Sequence, residues 1–491
     1  MSPNTPAPPT ADADHGHSRS LRNLVAPYLG IDPRALGAFR IALGLLVLVD
    51  LMGYRLPELR TFYTDDGVYP RALLESEYPL FAELSLHALS GSLWPQLVLI
   101  ALAGVAAVSL LVGYRTRLAT VVSIVLLASL QARNPHVLNG GDTVLLTLLV
   151  FGAFLPLGAR WGLESGRCDD GDERVVSAPT AATLLTIVLL YTTNGILKFE
   201  SDPWMDGIAV QQIAHLEQYL IGLGPLLGEF SSALLVANWL WIALLCGSGL
   251  LVLTTGWVRA GVVAAFVVAH LGLAVTMHLG VFPFVMIAAV ALFLPPRVWD
   301  RVERTLAGVV ERVADTDDRK QPPSEPESTS SSTSGGRHRR RVATVVVLSL
   351  FLVLSLWQVT ALGFAEDSAL EIDAVEDASW SFFAPNPPSS HSWLVADARL
   401  ESGERVDPIR GGDPAIAEPP DTGETYSSPL WKRYGTTVPA FGENHDEALT
   451  AYVCQSDDAI ETVTISLVDR PVDADGPTDE PTVSERLEFE C

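Results

Sequence analysis

Long apolar runs recur along this chain, and they constrain the fold more than any other feature. Ile41–Val49, Leu97–Val112, Val144–Leu157 and Ala260–Val275 are examples. A helix needs about 20 mostly apolar residues to cross a hydrocarbon core. The runs are rich in Leu, Val and Ala and lack the period-two alternation of barrel strands, so they predict helices. Nine spans are expected, near 36–53, 94–114, 117–133, 142–159, 178–197, 231–254, 257–277, 279–296 and 342–363. The charged fraction of 18% is low for a chain of 491 residues. The expected fold class is a membrane all-α bundle of about nine transmembrane helices with a C-terminal extracytoplasmic β-rich domain.

Five segments follow. Residues 1–34 are polar and Pro-rich, with no cleavable signal peptide visible, and are expected to stay cytoplasmic. Residues 35–300 form an eight-span membrane body. Residues 301–341 are expected to be a cytoplasmic disordered linker, because ADTDDRKQPPSEPESTSSSTSGGRHRRR is poor in apolar residues. Residues 342–363 supply the ninth helix, and residues 364–491 an acidic outer domain. Within that domain SWLVADARL and ETVTISLV alternate as strands do. An amphipathic helix is expected over IAVQQIAHLEQYLIG (208–222), either on the membrane surface or packed under the outer domain.

Orientation comes from the basic residues of short loops. Arg34, Arg115 and Arg117, Arg160 and Arg174, Arg259, and the run ending at Arg341 all fall in alternate loops. That side is expected to be cytoplasmic, which puts the N-terminus inside and the C-terminal domain outside. The long first outer loop, with Arg55, Arg60 and Arg71, departs from the pattern.

The net charge of −25 is concentrated in the tail, where residues 364–491 hold 28 acidic and 7 basic side chains. That sign disfavours nucleic acid as a partner. It suits a solvated surface and leads to the expectation of a halophilic source. Four cysteines are too few for a disulfide framework, and a bridge between Cys454 and Cys491 stays open. No Cys/His spacing marks a metal site, so none is expected.

The polar residues of the spans are the functional candidates. Of 32 basic residues only Lys198, Lys320 and Lys432 are lysines, and Lys198 alone lies outside the linker and tail. Lysine, unlike arginine, can lose its proton when desolvated, and a neutral amine is a base or nucleophile. The rival reading is snorkelling to the headgroups, which arginine does as well. Arg40 is expected to snorkel, and Asp50 to cap a helix or pair with a loop arginine. His136, in the outer loop ARNPHVLNGGD, falls on the same side as Lys198 and could serve as acid or base. Asp142 is a substrate-binding candidate and also a fitting helix N-cap. His270 and His278 could face a cavity.

The ordered set RIALGLLVLVDL (40–51), YTDDGVYPR (63–71), RNPHVLNGGD (133–142), FLPLGARW (154–161), YTTNGILKF…W (191–204) and WSFFAPNP (380–387) resembles the HTTM family. These membrane proteins are related to the vitamin K-dependent gamma-glutamyl carboxylase. The resemblance implies several spans and a lumenal β-rich domain. It also implies a reduced quinone (a vitamin K-like hydroquinone) as cofactor, deprotonated by a lysine at the lumenal side. Tyr191, Gly195, Lys198 and Trp204 match the Tyr-x-x-x-Gly-x-Lys-Lys…Trp context of that lysine, with Leu197 at the first lysine position. Asn134-Pro135-His136 resembles the Asn-x-His context of a histidine used there. By this resemblance Lys198 and His136 are catalytic, and Tyr191 and Trp204 bind substrate.

Three functions are therefore carried forward. The first is an enzyme whose outward-facing Lys198 acts as base on a quinol or another lipid-soluble substrate. The second is a membrane scaffold whose outer domain meets an extracellular peptide or protein. The third, a transporter, ranks last because no inverted repeats or paired broken spans are evident. The lipid bilayer is a partner in each.

Overall fold

The computed structural model describes residues 23–164, 174–314, 335–361, 382–414, 416, 426–437 and 443–491. Helix α1 (Pro33–Val49) starts at Asp32, whose carboxylate accepts from the backbone N–H of Arg34 at 2.9 Å, with Pro33 at the first helical position. It continues through a π-helical turn, Asp50–Arg55. There follow α2 (Leu93–Val112), α3 (Thr116–Arg133), α4 (Gly140–Gly152), α5 (Ala178–Phe199), α6 (Ser231–Cys246), α7 (Gly256–Thr276), α8 (Phe282–Ala291), α9 (Pro296–Ala314) and α10 (Gly335–Ala361).

Seven helices among the described residues are long and apolar enough to span a bilayer: α1, α2, α3, α5, α6 with its extension to Leu253, α7, and Arg341–Gln358 of α10. The expected fourth and eighth spans are shorter. Helix α4 has 13 residues and α8 has 10. Helices α8 and α9 form one apolar pair bent by 110°, at Pro295-Pro296. Proline breaks a helix because it lacks an N–H and crowds the preceding turn.

Helix α9 also occupies the start of the segment expected to be a disordered linker. Its Asp300 and Glu303 accept from Arg34 Nη1 at 2.8 and 3.1 Å, which ties it to the start of α1. Residues 315–334 lie outside the described residues.

Two polar or small residues of α1 set its packing. Arg40 does not snorkel. Its guanidinium is fully buried and donates to Leu110 O (2.7 Å), Leu111 O (2.5 Å) and Trp161 O (2.7 Å). It thus pairs with Leu111 O at the C-terminus of α2 and adds a second donor to Leu110 O, which also accepts from Gly113 N. Gly44 lets α1 and α2 cross closely, since a Cβ there would sit 2.7 Å from Leu111 N and 2.9 Å from Ala107 O. Gly44→Val is expected to cost about 1–3 kcal/mol through overpacking. A melting curve in detergent checks this, and a wild-type midpoint contradicts it.

The C-terminal part is an antiparallel sheet with two helices. Strand β1 (Ser390–Leu400) lies between β2 (Arg405–Val406) and β3 (Ile460–Asp473). On its other side β3 pairs with β4 (Gly476–Pro477) and β5 (Thr482–Glu490). Trp393 opposes Val468 and Val395 opposes Ser466. Trp393 to Ala396 are all buried, because helices α11 (Pro429–Thr437) and α12 (Glu443–Cys454) pack on the sheet. A disulfide joins Cys454, ending α12, to Cys491 after β5.

The segment 208–222 is not one amphipathic helix. It breaks into a short helix, Ala209–Ile213, and a 3-10 turn, Glu217–Tyr219. It packs under the C-terminal domain, where Gln212 Nε2 donates to Pro388 O at 2.9 Å and Gln218 Nε2 to Ser390 O at 3.3 Å. The two amides satisfy carbonyls of the incoming chain, which surface helix geometry would not do.

Candidate functional site

The last turns of α5, the facing sides of α6 and α7, and the chain entering the β-sheet enclose a cavity of about 1320 Å³. Its walls are mostly Leu, Ala, Val and aromatic side chains. Helices α6 and α7 are among the least buried of the candidate spans.

Lys198 enters from the end of α5 and is 1% exposed. Its Nζ donates to Phe382 O at 2.9 Å and lies 4.5 Å above the Trp204 ring, a cation–π distance. Trp204 Nε1 donates to the next carbonyl, Phe383 O, at 2.9 Å. Phe382 and Phe383 have φ of +24° and +58°, in the left-handed region that bulky residues avoid. Such residues cost about 1–3 kcal/mol each and persist where surrounding contacts over-determine them. Here the contacts are the lysine, the indole, Phe282 with its ring tilted 4.4 Å from that of Phe382, and Tyr219 edge-on 5.2 Å from Phe383. Trp380 and Ser381 of the WSFFAPNP stretch lie outside the described residues.

The polar part of the wall is cationic and neutral. Among the described residues no carboxylate lines the cavity, whereas Lys198, Lys432, Arg433, His270 and His278 do. Tyr191 Oη and His270 Nε2 are buried and have no hydrogen-bond partner among the described residues. His270 Nδ1 lies 2.8 Å from Phe266 O. A carbonyl only accepts, so Nδ1 carries the proton in the neutral ring and Nε2 keeps a lone pair.

Lys432 reaches the cavity from α11, hydrogen-bonds His278 O and sits 4.8 Å from the Tyr219 ring. Burial, then the neighbouring Arg433, lowers its pKa to about 7. Burial, then Lys432, lowers that of His278 to about 4.

The Lys432 shift predicts a pH dependence. Between about pH 7 and its ordinary value of 10.5 the unfolded chain holds a proton on Lys432 that the folded chain does not. Stability contributed by this group therefore rises with pH across that window. The melting temperature is expected to climb as pH is raised above 7, and Lys432→Met to flatten the climb. Parallel profiles for the two proteins contradict this.

Of the residues expected at the site, Lys198, Tyr191 and Trp204 meet in the cavity, and His270 and His278 join them. His136 and Asp142 do not line it. The 3-10 turn Pro135–Val137 aims the His136 ring outward, where Nε2 lies 3.0 Å from Glu77 Oε2, while Leu138 to Gly141 face inward. Burial raises the Glu77 pKa, but hydrogen bonds from His136, His445 and Tyr69 outweigh it and hold the carboxylate well below its usual range.

Asn139, not Asp142, is the N-cap of α4. Asp142 completes a capping box by accepting from Asn139 N at 2.8 Å. Its other oxygen accepts from Arg55 at 2.5 Å, and Arg55 also bonds Asp50 (3.2 Å) and the Tyr63 hydroxyl (2.6 Å).

Sequence reasoning passed over Lys432 and the two phenylalanine carbonyls. The rarity of lysine, which singled out Lys198, applied equally to Lys432, yet its place in a polar tail hid it.

Comparison with characterised proteins and with solved structures finds no match. Residues 28–299, the membrane body that carries Tyr191, Lys198 and Trp204, match the HTTM domain. The match spans more than half of the chain, and this multi-pass membrane protein belongs to the HTTM-domain family.

Proposed function

We propose that the cavity takes up a lipid-soluble molecule with an acidic or hydroxyl-bearing head, and that Lys198 acts on that head as a general base. The observation that carries this is the cavity's composition: an apolar chamber with two buried lysines and, among the described residues, no partner for Tyr191 Oη or His270 Nε2 and no lining carboxylate. A ligand entering between α6 and α7 meets hydrocarbon-like walls first and the amines at the far end.

A reduced quinone fits this donor set. Tyr191 and His270 would orient its hydroxyl, Trp204 and Phe382 would flank its ring, and it would supply an acidic phenolic proton. As base, Lys198 keeps one N–H on Phe382 O and offers its lone pair to that proton. The Phe382-Phe383 turn excludes water and fixes the amine. Lys432 places a second positive or polar group near the developing anion. In this reading His136 is a positioning residue behind the rim, and Asp142 anchors α4.

We further propose that the C-terminal domain stands on the extracytoplasmic side. Arginine-rich alternate loops and the Cys454–Cys491 disulfide support this.

Ala269→Trp puts an indole into the cavity from its α7 wall and obstructs it. Mass spectrometry of copurified lipids is expected to find an acidic or phenolic lipid on the wild type and to lose it from Ala269→Trp. Identical lipid profiles overturn the reading and favour the scaffold function.

A further inference from the structure

Outside the cavity, three side chains from distant parts of the sequence converge: Glu77, His136 and His445. One ligand atom from each lies within 4.8 Å of the others. His136 Nε2 is 3.0 Å from Glu77 Oε2, and His445 Nε2 is 2.6 Å from Glu77 Oε1. Both imidazoles are almost fully buried, at 3% and 1% exposure, while the Glu77 side chain is 26% exposed. The three come from the end of helix Arg71–Glu77, the turn Pro135–Val137 and helix α12.

Two histidines and one carboxylate are the ligand set of open zinc and other divalent transition-metal sites. Such ligands are held by an outer ring of contacts, and Tyr69 supplies part of that ring. The Tyr69 hydroxyl donates to Glu77 Oε2 at 2.8 Å. The Tyr69 ring meets His136 edge-on at 4.9 Å and stacks on His445 at 5.8 Å. The partial exposure of Glu77 leaves an entry path and room for a water ligand.

We propose that Glu77, His136 and His445 bind one divalent transition-metal ion of the zinc class. The ion clamps the C-terminal domain to the outer loops of the membrane body. Because Leu138 to Gly141 follow His136 directly and line the cavity, the clamp also fixes the cavity rim. This does not depend on the base role of Lys198.

The test uses the full-length protein in detergent, stripped with chelator and titrated with Zn²⁺ and separately with Co²⁺. The expected result is about one ion per chain, a visible Co²⁺ absorption of four or five coordination, and a Zn-edge spectrum with two imidazole nitrogens. Glu77→Gln and His445→Ala are expected to lose the ion, and His445→Asp to retain it weakly. Zinc is expected to raise the melting temperature of the wild type and not of His445→Ala.

A wild type that takes up no ion at stoichiometric concentrations overturns the proposal. So does uptake unchanged by the substitutions, or an X-ray absorption spectrum without imidazole. If His445→Ala does not fold, wild-type stoichiometry and spectrum decide alone.

Discussion

Lys198→Arg is expected to abolish quinol-dependent turnover while the protein still folds and still holds a lipid. Arginine keeps the positive charge, the reach to Phe382 O and the contact with Trp204, but it does not give up its proton. Loss of a general base costs about 10²–10⁴-fold in rate. Lys198→Met removes the charge as well and is expected to be as inactive. The two variants separate on the Phe382-Phe383 turn, which arginine can still hold and methionine cannot, so Lys198→Met should also melt earlier. Assay of both against a reduced quinone, with copurified lipid measured in parallel, checks the expectation. Full activity of Lys198→Arg would exclude Lys198 as the base.

The largest effect on stability is expected at Arg55. Its guanidinium is 1% exposed and pairs with two carboxylates, Asp50 and Asp142, that are themselves buried. Removing one partner of a buried ion network leaves uncompensated charge and costs about 3–5 kcal/mol. Arg55→Leu should therefore melt well below the wild type or fail to accumulate in the membrane. The triple variant Arg55→Leu/Asp50→Asn/Asp142→Asn should recover much of the loss, because no unpaired charge remains. Thermal melts of the three proteins measure this, and an Arg55→Leu protein as stable as the wild type would contradict it.

Apolar length made most of the bundle legible from sequence, because a hydrocarbon core imposes it directly. Among the described residues, two of the expected spans, α4 and α8, are shorter than a hydrocarbon core requires. Helix α4 begins where expected but ends at Gly152, ahead of Pro156, and the pair α8–α9 is bent by 110° before Pro296. Arg40 was read as a surface-seeking side chain, since sequence does not reveal that the C-terminal carbonyls of α2 lie beside it. The spacing of Tyr191, Lys198 and Trp204 carried half of the cavity, because these three lie on one helix end and the turn after it. The other half could not be read locally. Lys432 joins the cavity, and the Phe382 carbonyl reaches Lys198, only through the docking of α11 and the chain before β1. His136 sits within a few residues of the cavity wall, but a single 3-10 turn sends its ring the other way.

In the proposed function an amphiphile occupies the cavity with its polar end at Lys198. An experimental density map of the wild type in lipid nanodiscs tests it most directly. The account predicts an elongated density running from the gap between α6 and α7 to the Lys198–Trp204 corner, within hydrogen-bond reach of Tyr191 Oη or His270 Nε2. A cavity closed to the bilayer, or one holding only ordered water around Lys198, would contradict it.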